Sequence, residues 1–185
     1  MSSTLSPRGP TVLVPVLPLR DVCLFPEASL ATIAATIPAL KAVEIGTRTG
    51  GQVLALAQKE PDLAAWRELH PVGTVADVGE DLALPDASHR VELDGLRRAR
   101  VLTMVTSDVM VAEVQLLDEG DPGEYWGAAV EALARYMHAH AELRSFLEQQ
   151  RRSAEPMSWV NLACQHLPIT ASARQKLLES DAGDR

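Results

Sequence analysis

Apolar residues in this chain recur with one spacing up to Leu117 and with another beyond Gly123. The first part consists of short aliphatic and β-branched runs cut by proline and glycine. Its clearest run is Val109 to Leu116, where Met110, Ala112, Val114 and Leu116 share one face and Glu113 and Gln115 the other. A period of two is the signature of a half-buried strand. In the second part Trp126, Val130, Leu133, Met137 and Ala141 step by three or four, which puts them on one face of a helix. A chain divided this way is expected to be α+β, with strands first and helices after.

Val12, Val14 and Val16 open the first strand, and Pro15 and Pro18 place it at an edge or a bend, because proline cannot donate to a ladder. Ser29 to Ile37 reads as a second strand. Pro38 starts a short helix through Ala39, Leu40, Val43 and Glu44, which Gly46 ends. Gln52 to Gln58 is a strand, Asp62 to Glu68 a helical turn, and Val72 to Val78, Leu82 to Leu84 and Arg90 to Leu93 are further strands, with a turn at Pro85 to Ser88. Strands this short around one helix suggest a closed or partly closed barrel over residues 11–117. The acidic Gly/Pro stretch Asp118 to Gly123 is the expected boundary. Asp121 as cap, Pro122 and Glu124 begin a helix that runs to about Arg152. Pro156 opens a second, with Trp159, Val160, Ala163, Cys164 and Leu167 as its stripe and Pro168 as its stop. Thr170 caps a third through Leu177 and Leu178. Residues 118–185 are thus expected to form a three-helix bundle, and residues 1–10, rich in Ser, Pro and Gly, a disordered tail.

Composition narrows the function classes. The net charge of -8 disfavours nucleic acid and anionic membrane as partners, since both need clustered cations. No run of 18 apolar residues exists, and the first ten residues contain no apolar segment of a signal peptide. Cys23 and Cys164 form no CxxC and suit a reducing compartment, so a cytoplasmic location is expected. Both read as small buried apolar groups. The three lysines, Lys41, Lys59 and Lys176, follow no glycine-rich loop, and neither GxSxG nor HExxH occurs. His138 and His140 are two apart and point to different sides of a helix, while His70, His89 and His166 lack ligand spacing. The expectation is a protein without catalytic residues, cofactor or metal.

Two features could bind something. Arg97, Arg98 and Arg100 are a basic cluster that would suit RNA phosphates, or a solvated face paired with Asp94 or Glu92. Aromatic residues make up 4% of the chain, which leaves few platforms for stacking bases and favours the solvated face. The other feature is the run Cys23, Leu24, Phe25, Pro26, then Leu30, Ile33 and Ile37, apolar on both strand faces. A barrel interior takes only one face. The rest is either covered by the helices or left exposed as a partner site. Leu24, Phe25, Pro26, Ile33 and Ile37 are the candidate peptide-binding residues.

Leu17-Pro18-Leu19-Arg20-Asp21-Val22-Cys23-Leu24-Phe25-Pro26 resembles the opening signature of the Lon N-terminal domain family, the substrate-recognition domain of the ATP-dependent protease Lon. Further segments resemble that family in order: Ala55 to Pro61 with its Gln-Lys element, Val72 to Ala76, Leu84-Pro85-Asp86, and Val91 to Val101 with Gly95-Leu96-Arg97-Arg98-Ala99. Val111 to Val114, Leu162 to Pro168 and Lys176 to Glu179 follow. Glu27 and Ala87 stand where the family commonly has glycine, and Ala28 to Ile45 matches poorly. The resemblance implies a PUA-like pseudo-barrel followed by a helical bundle. It also implies a stand-alone module without the family's ATPase and Ser-Lys peptidase domains, which recognises unfolded or apolar polypeptide segments and acts alone or with a separate Lon protease. An RNA-binding PUA-like module is the alternative.

Overall fold

A computed structural model describes residues 11–48, 50–60, 68–120, 123, 125–137 and 156–180. Among these residues are six strands: β1 (Thr11–Leu19), β2 (Ser29–Ala34), β3 (Gln52–Ala57), β4 (Val72–Ala83), β5 (His89–Thr106) and β6 (Met110–Leu116). Helix α1 (Ile37–Arg48) lies between β2 and β3, and α2 (Tyr125–Met137), α3 (Pro156–His166) and α4 (Ala171–Glu179) follow the strands. The sheet order is β2-β5-β4-β3-β1-β6, and β5 also pairs with β6. Five strands therefore close into a ring, with β2 outside it on β5. The mainly-β barrel followed by a helical part is the architecture expected from the sequence.

Local chemistry explains each turn of this path. The two prolines of β1 are tolerated because the strand changes partner between them and its neighbours. Thr11 to Pro15 pair antiparallel with β6, and Val16 to Leu19 pair parallel with β3. Each half of β1 thus has one unladdered side, where a missing N–H costs nothing. Thr36 rather than Pro38 begins α1, accepting a hydrogen bond from the Ala39 amide at 3.4 Å. The sequence places a stop at Gly46, yet α1 continues to Arg48. Gly46 serves packing instead: a Cβ there would lie 2.7 Å from Val53 Cγ1. Strands β4 and β5 run far beyond their expected ends. Asp77 and residues 79–83 are exposed, so no core face imposes a period on that arm. The residue expected as a turn glycine, Ala87, has φ 65°, and Glu27 has φ 60°. Both departures from the family pattern fall on left-handed backbone, where a Cβ is strained. Asp86 supports its turn by accepting from the Ser88 amide at 3.1 Å and hydroxyl at 2.6 Å. The Ser88 hydroxyl, and secondarily its amide, hold the Asp86 carboxyl below its usual range.

The described residues form two apolar cores. Val14, Val16, Leu54, Leu56, Val75, Ala99, Met110, Ala112 and Val114 fill the ring. Met110, Ala112 and Val114 are the face expected to be apolar in β6. The alternate residues Leu17, Leu19, Val53, Ala55 and Ala57 point outward and join α1, α3 and α4 in the second core. That is why β1 and β3 are apolar on both faces. In α3 every side chain from Met157 to Gln165 is buried, so the helix is enclosed rather than striped. Thr170 caps α4 by accepting from Ala173 at 3.2 Å, as expected, and Leu178 is buried. The expected Asp62 helical turn (apart from Glu68), the Asp121-Pro122-Glu124 cap, His138, His140, Trp66 and the run to Arg152 lie outside the described residues. So do the expected tail and the side chains of Trp126, Leu133 and Met137; Val130 packs half-buried on the second core.

Candidate functional site

The five candidate residues part company in the structure. Leu24 is 1% and Phe25 0% exposed, and Pro26 is buried as well. These three cannot form a binding surface and are corrected here to core residues. The reason is the loop between β1 and β2, which α3 and α4 clamp from the other end of the chain. The Gln165 amide accepts from the Phe25 N–H at 2.9 Å and donates to the Cys23 carbonyl at 3.1 Å. Gln175 donates to the Val72 carbonyl at 2.9 Å and accepts from the Cys23 thiol at 3.3 Å. Thr74 donates to the Leu24 carbonyl. On the inner side Gly95 lets β5 approach, since a Cβ there would collide with the Phe25 carbonyl. Burial of Phe25 stabilises this joint by roughly 1.5–3 kcal/mol. Burial also pushes the Cys23 thiol up to about 12, against a smaller lowering by Arg174. A thiol so held stays protonated and unreactive.

Ile33 and Ile37 behave in the opposite way. They are 53% and 67% exposed, at the corner where β2 turns into α1. A cleft of about 390 Å³ opens beside Ile33, lined among others by Pro18, Arg20, Val22, Ala31 and Gln58. A second of similar volume holds Ile37 with Leu40, Lys41, Glu44, Asp81 and His89. His89 Nδ1 lies 2.7 Å from Asp81 Oδ1 in its wall. A third cleft, about 480 Å³, lies between barrel and helices, where Asp21, Lys59 and His70 face Thr170 and Gln175. None of the five candidates lines it. Sequence reasoning missed Arg20, Val22 and Ala31. The alternation in Ser29-Leu30-Ala31-Thr32-Ile33-Ala34 contained the signal, because it sets Ser29, Ala31 and Ile33 outward.

The basic cluster also splits. Arg97 and Arg100 are exposed, but Arg98 is 2% exposed. Its guanidinium meets Glu119 at 3.2 Å and donates to the carbonyls of Asp118, Leu178 and Ser180 at 3.0, 3.1 and 2.7 Å. The solvated face paired with Asp94 or Glu92 is therefore corrected for Arg98. Asp94 instead accepts from Ser29, and Arg98 ties β5 to the end of α4. Cys23 and Cys164 are both buried, as expected. Among the described residues no cluster of three metal-ligating side chains exists, and no described helix is long and apolar enough to cross a membrane.

Residues 13–184 match the ATP-dependent protease La (LON) substrate-binding domain. The chain belongs to the Lon substrate-binding domain family. It is 33% identical to the Lon protease of Xanthomonas oryzae pv. oryzae over 95% of its own length and 22% of that protein's. It is 25% identical to the Escherichia coli K12 Lon protease over 96% of this chain and 24% of the relative. The chain thus spans less than a quarter of these Lon proteases, and the part it matches is the substrate-binding domain. The N-terminal domain of a Mycobacterium avium complex Lon protease superposes with TM-score 0.76 at 18% identity, covering 94% of this chain and 93% of that one. A Lon N-terminal domain protein from Xanthomonas campestris gives 0.60 at 22% identity, with 94% of each chain covered. Both show the fold: a Lon-type barrel with its helical part.

Proposed function

We propose that this chain is a non-catalytic module that recognises polypeptides, holding unfolded or apolar segments at the corner formed by Ile33 and Ile37. One observation carries the reading. In a member of the Lon substrate-binding family, two large aliphatic side chains stand exposed beside open clefts, while the equally apolar Leu24 and Phe25 are buried. Exposed aliphatic residues next to a concavity suit the side chains of a chain that has lost its own core. Such a site needs no nucleophile, and the Cys23 thiol supplies none. A cytoplasmic setting, and a separate Lon protease as a second partner, belong to the same proposal. The RNA alternative is weaker: Arg98 is committed to the fold, and the net charge of -8 opposes the phosphate backbone.

Photo-crosslinking tests the reading. A reduced and alkylated polypeptide carrying a photoreactive group is expected to label peptides that contain Ile33 and Ile37. Labelling confined to the outer face of β6, or retention of RNA but of no unfolded chain at low salt, refutes it.

A further inference from the structure

We propose that β2 receives an extended segment of another polypeptide as an added strand, with an acidic residue of that segment set against Arg20. This rests on the polypeptide-binding reading and specifies how the corner would grip its client.

The ladder shows which side of β2 is open. Gly95 donates to the Ala28 carbonyl and accepts from the Glu27 amide, so both its polar groups face the β2 side. Alternation along β5 then turns Leu93, Val91 and His89 the same way, opposite Leu30, Thr32 and Ala34 in the register. The Val78 amide, opposite Leu93, bonds to Gly51 instead, which agrees with that assignment. The amides and carbonyls of Ser29, Ala31 and Ile33 therefore point away from β5. Among the described residues none of them has a backbone partner. β2 is the terminal strand of the sheet order and pairs with β5 alone.

An open edge is normally guarded by lysine, proline or a bulge. β2 reads Ser-Leu-Ala-Thr-Ile-Ala, with no charge and no proline, and its register on β5 runs without a shift. The guard is missing where a cleft runs along the edge. Ala31 and Ile33 line one side of that cleft of about 390 Å³, and Pro18, Arg20 and Val22 line it too. The volume falls within the range of small ligand sites and suits a few residues of extended chain. In such addition, backbone bonds supply affinity and alternate side chains find pockets. Arg20 is the one charged residue lining the cleft; it is exposed and has no ion pair among the described residues. It gives the site a preference for a carboxylate on the incoming strand.

Fluorescence anisotropy with the full chain tests this. The probe is a labelled short peptide of alternating valine and threonine with an aspartate at one end. N-methylation of the alternate amides that would face β2 is expected to weaken binding about tenfold or more. Ala31→Pro, which removes an outward N–H and spares the β5 ladder, is expected to do the same with an unchanged melting temperature. Replacing the aspartate by lysine is expected to weaken binding several-fold, and Arg20→Glu to reverse that preference. Equal binding of methylated and unmethylated peptides overturns strand addition while leaving polypeptide binding intact; this comparison needs only the wild-type chain. Absence of binding to the peptide and to a reduced, alkylated polypeptide overturns both. Self-association abolished by Ala31→Pro, with no peptide binding, assigns the edge to a second copy and overturns the proposal too.

Discussion

Two neighbouring stretches, Cys23 to Pro26 and Ile33 to Ile37, are both apolar, and they end in opposite environments. The first is sealed between the barrel and α3 and α4, with Gln165 and Gln175 satisfying its backbone and thiol. The second lies at an uncovered corner beside two clefts. Apolar composition marks a segment that wants to leave water, but not what it will meet. The stretch that carries the family signature is a structural joint. The stretch that resembles the family least is the exposed one.

The sharpest way to break this contrast is at the joint. Phe25→Ala should cost about 4 kcal/mol, seen as a lower urea midpoint, because it empties a fully enclosed site. A loss below about 1 kcal/mol would mean that the loop is not clamped. Arg98→Ala should cost about 3 kcal/mol, since it removes the charged partner of Glu119 and the donor to the carbonyls of Asp118, Leu178 and Ser180, the last two at the end of α4. Hydrogen exchange should then rise first in α4.

Titration sharpens the comparison further. The Cys23 thiol ordinarily ionises near 9.0 and here near 12, because burial favours its neutral form. The unfolded chain therefore loses its proton first. The thiol's contribution is complete below pH 9 and is lost as the pH rises toward 12. Stability should fall there by up to about 1.4 kcal/mol per pH unit. Cys23→Ala should flatten that part of the curve relative to wild type in denaturant melts. The smallest expected gain is at the left-handed positions. Glu27→Gly and Ala87→Gly should each raise stability by about 0.5–1 kcal/mol by relieving a Cβ clash with the backbone. A decrease in melting temperature would show that those side chains contribute more than they strain.

Much of the fold was legible because a core imposes a period on it. The alternation in Met110 to Leu116 predicts the face of β6 that is buried, and Thr170 predicts the start of α4. Legibility ended where no core acts, as in residues 79–83 of β4, whose exposed side chains carry no period. It also ended where one residue can do two jobs: Gly46 could stop a helix or let it touch Val53, and only β3 decides. The candidate site was half legible. Apolar character alone does not separate Ile33 and Ile37 from Leu24 and Phe25. The cover over Phe25 comes from Gln165, 140 residues away, a distance at which local pattern says nothing. Arg98 was misread for the same cause, since its partners lie at Glu119, Leu178 and Ser180.

The central claim is that the uncovered corner grips polypeptide and the buried loop only holds the fold. The most direct measurement is the affinity of a labelled, reduced and alkylated polypeptide for wild type and for an Ile33→Lys/Ile37→Lys double variant, with melting curves alongside. Exposed positions of this kind should change stability by less than about 0.5 kcal/mol each. The account predicts an affinity at least about tenfold weaker with an unchanged melting temperature; an unchanged affinity would contradict it.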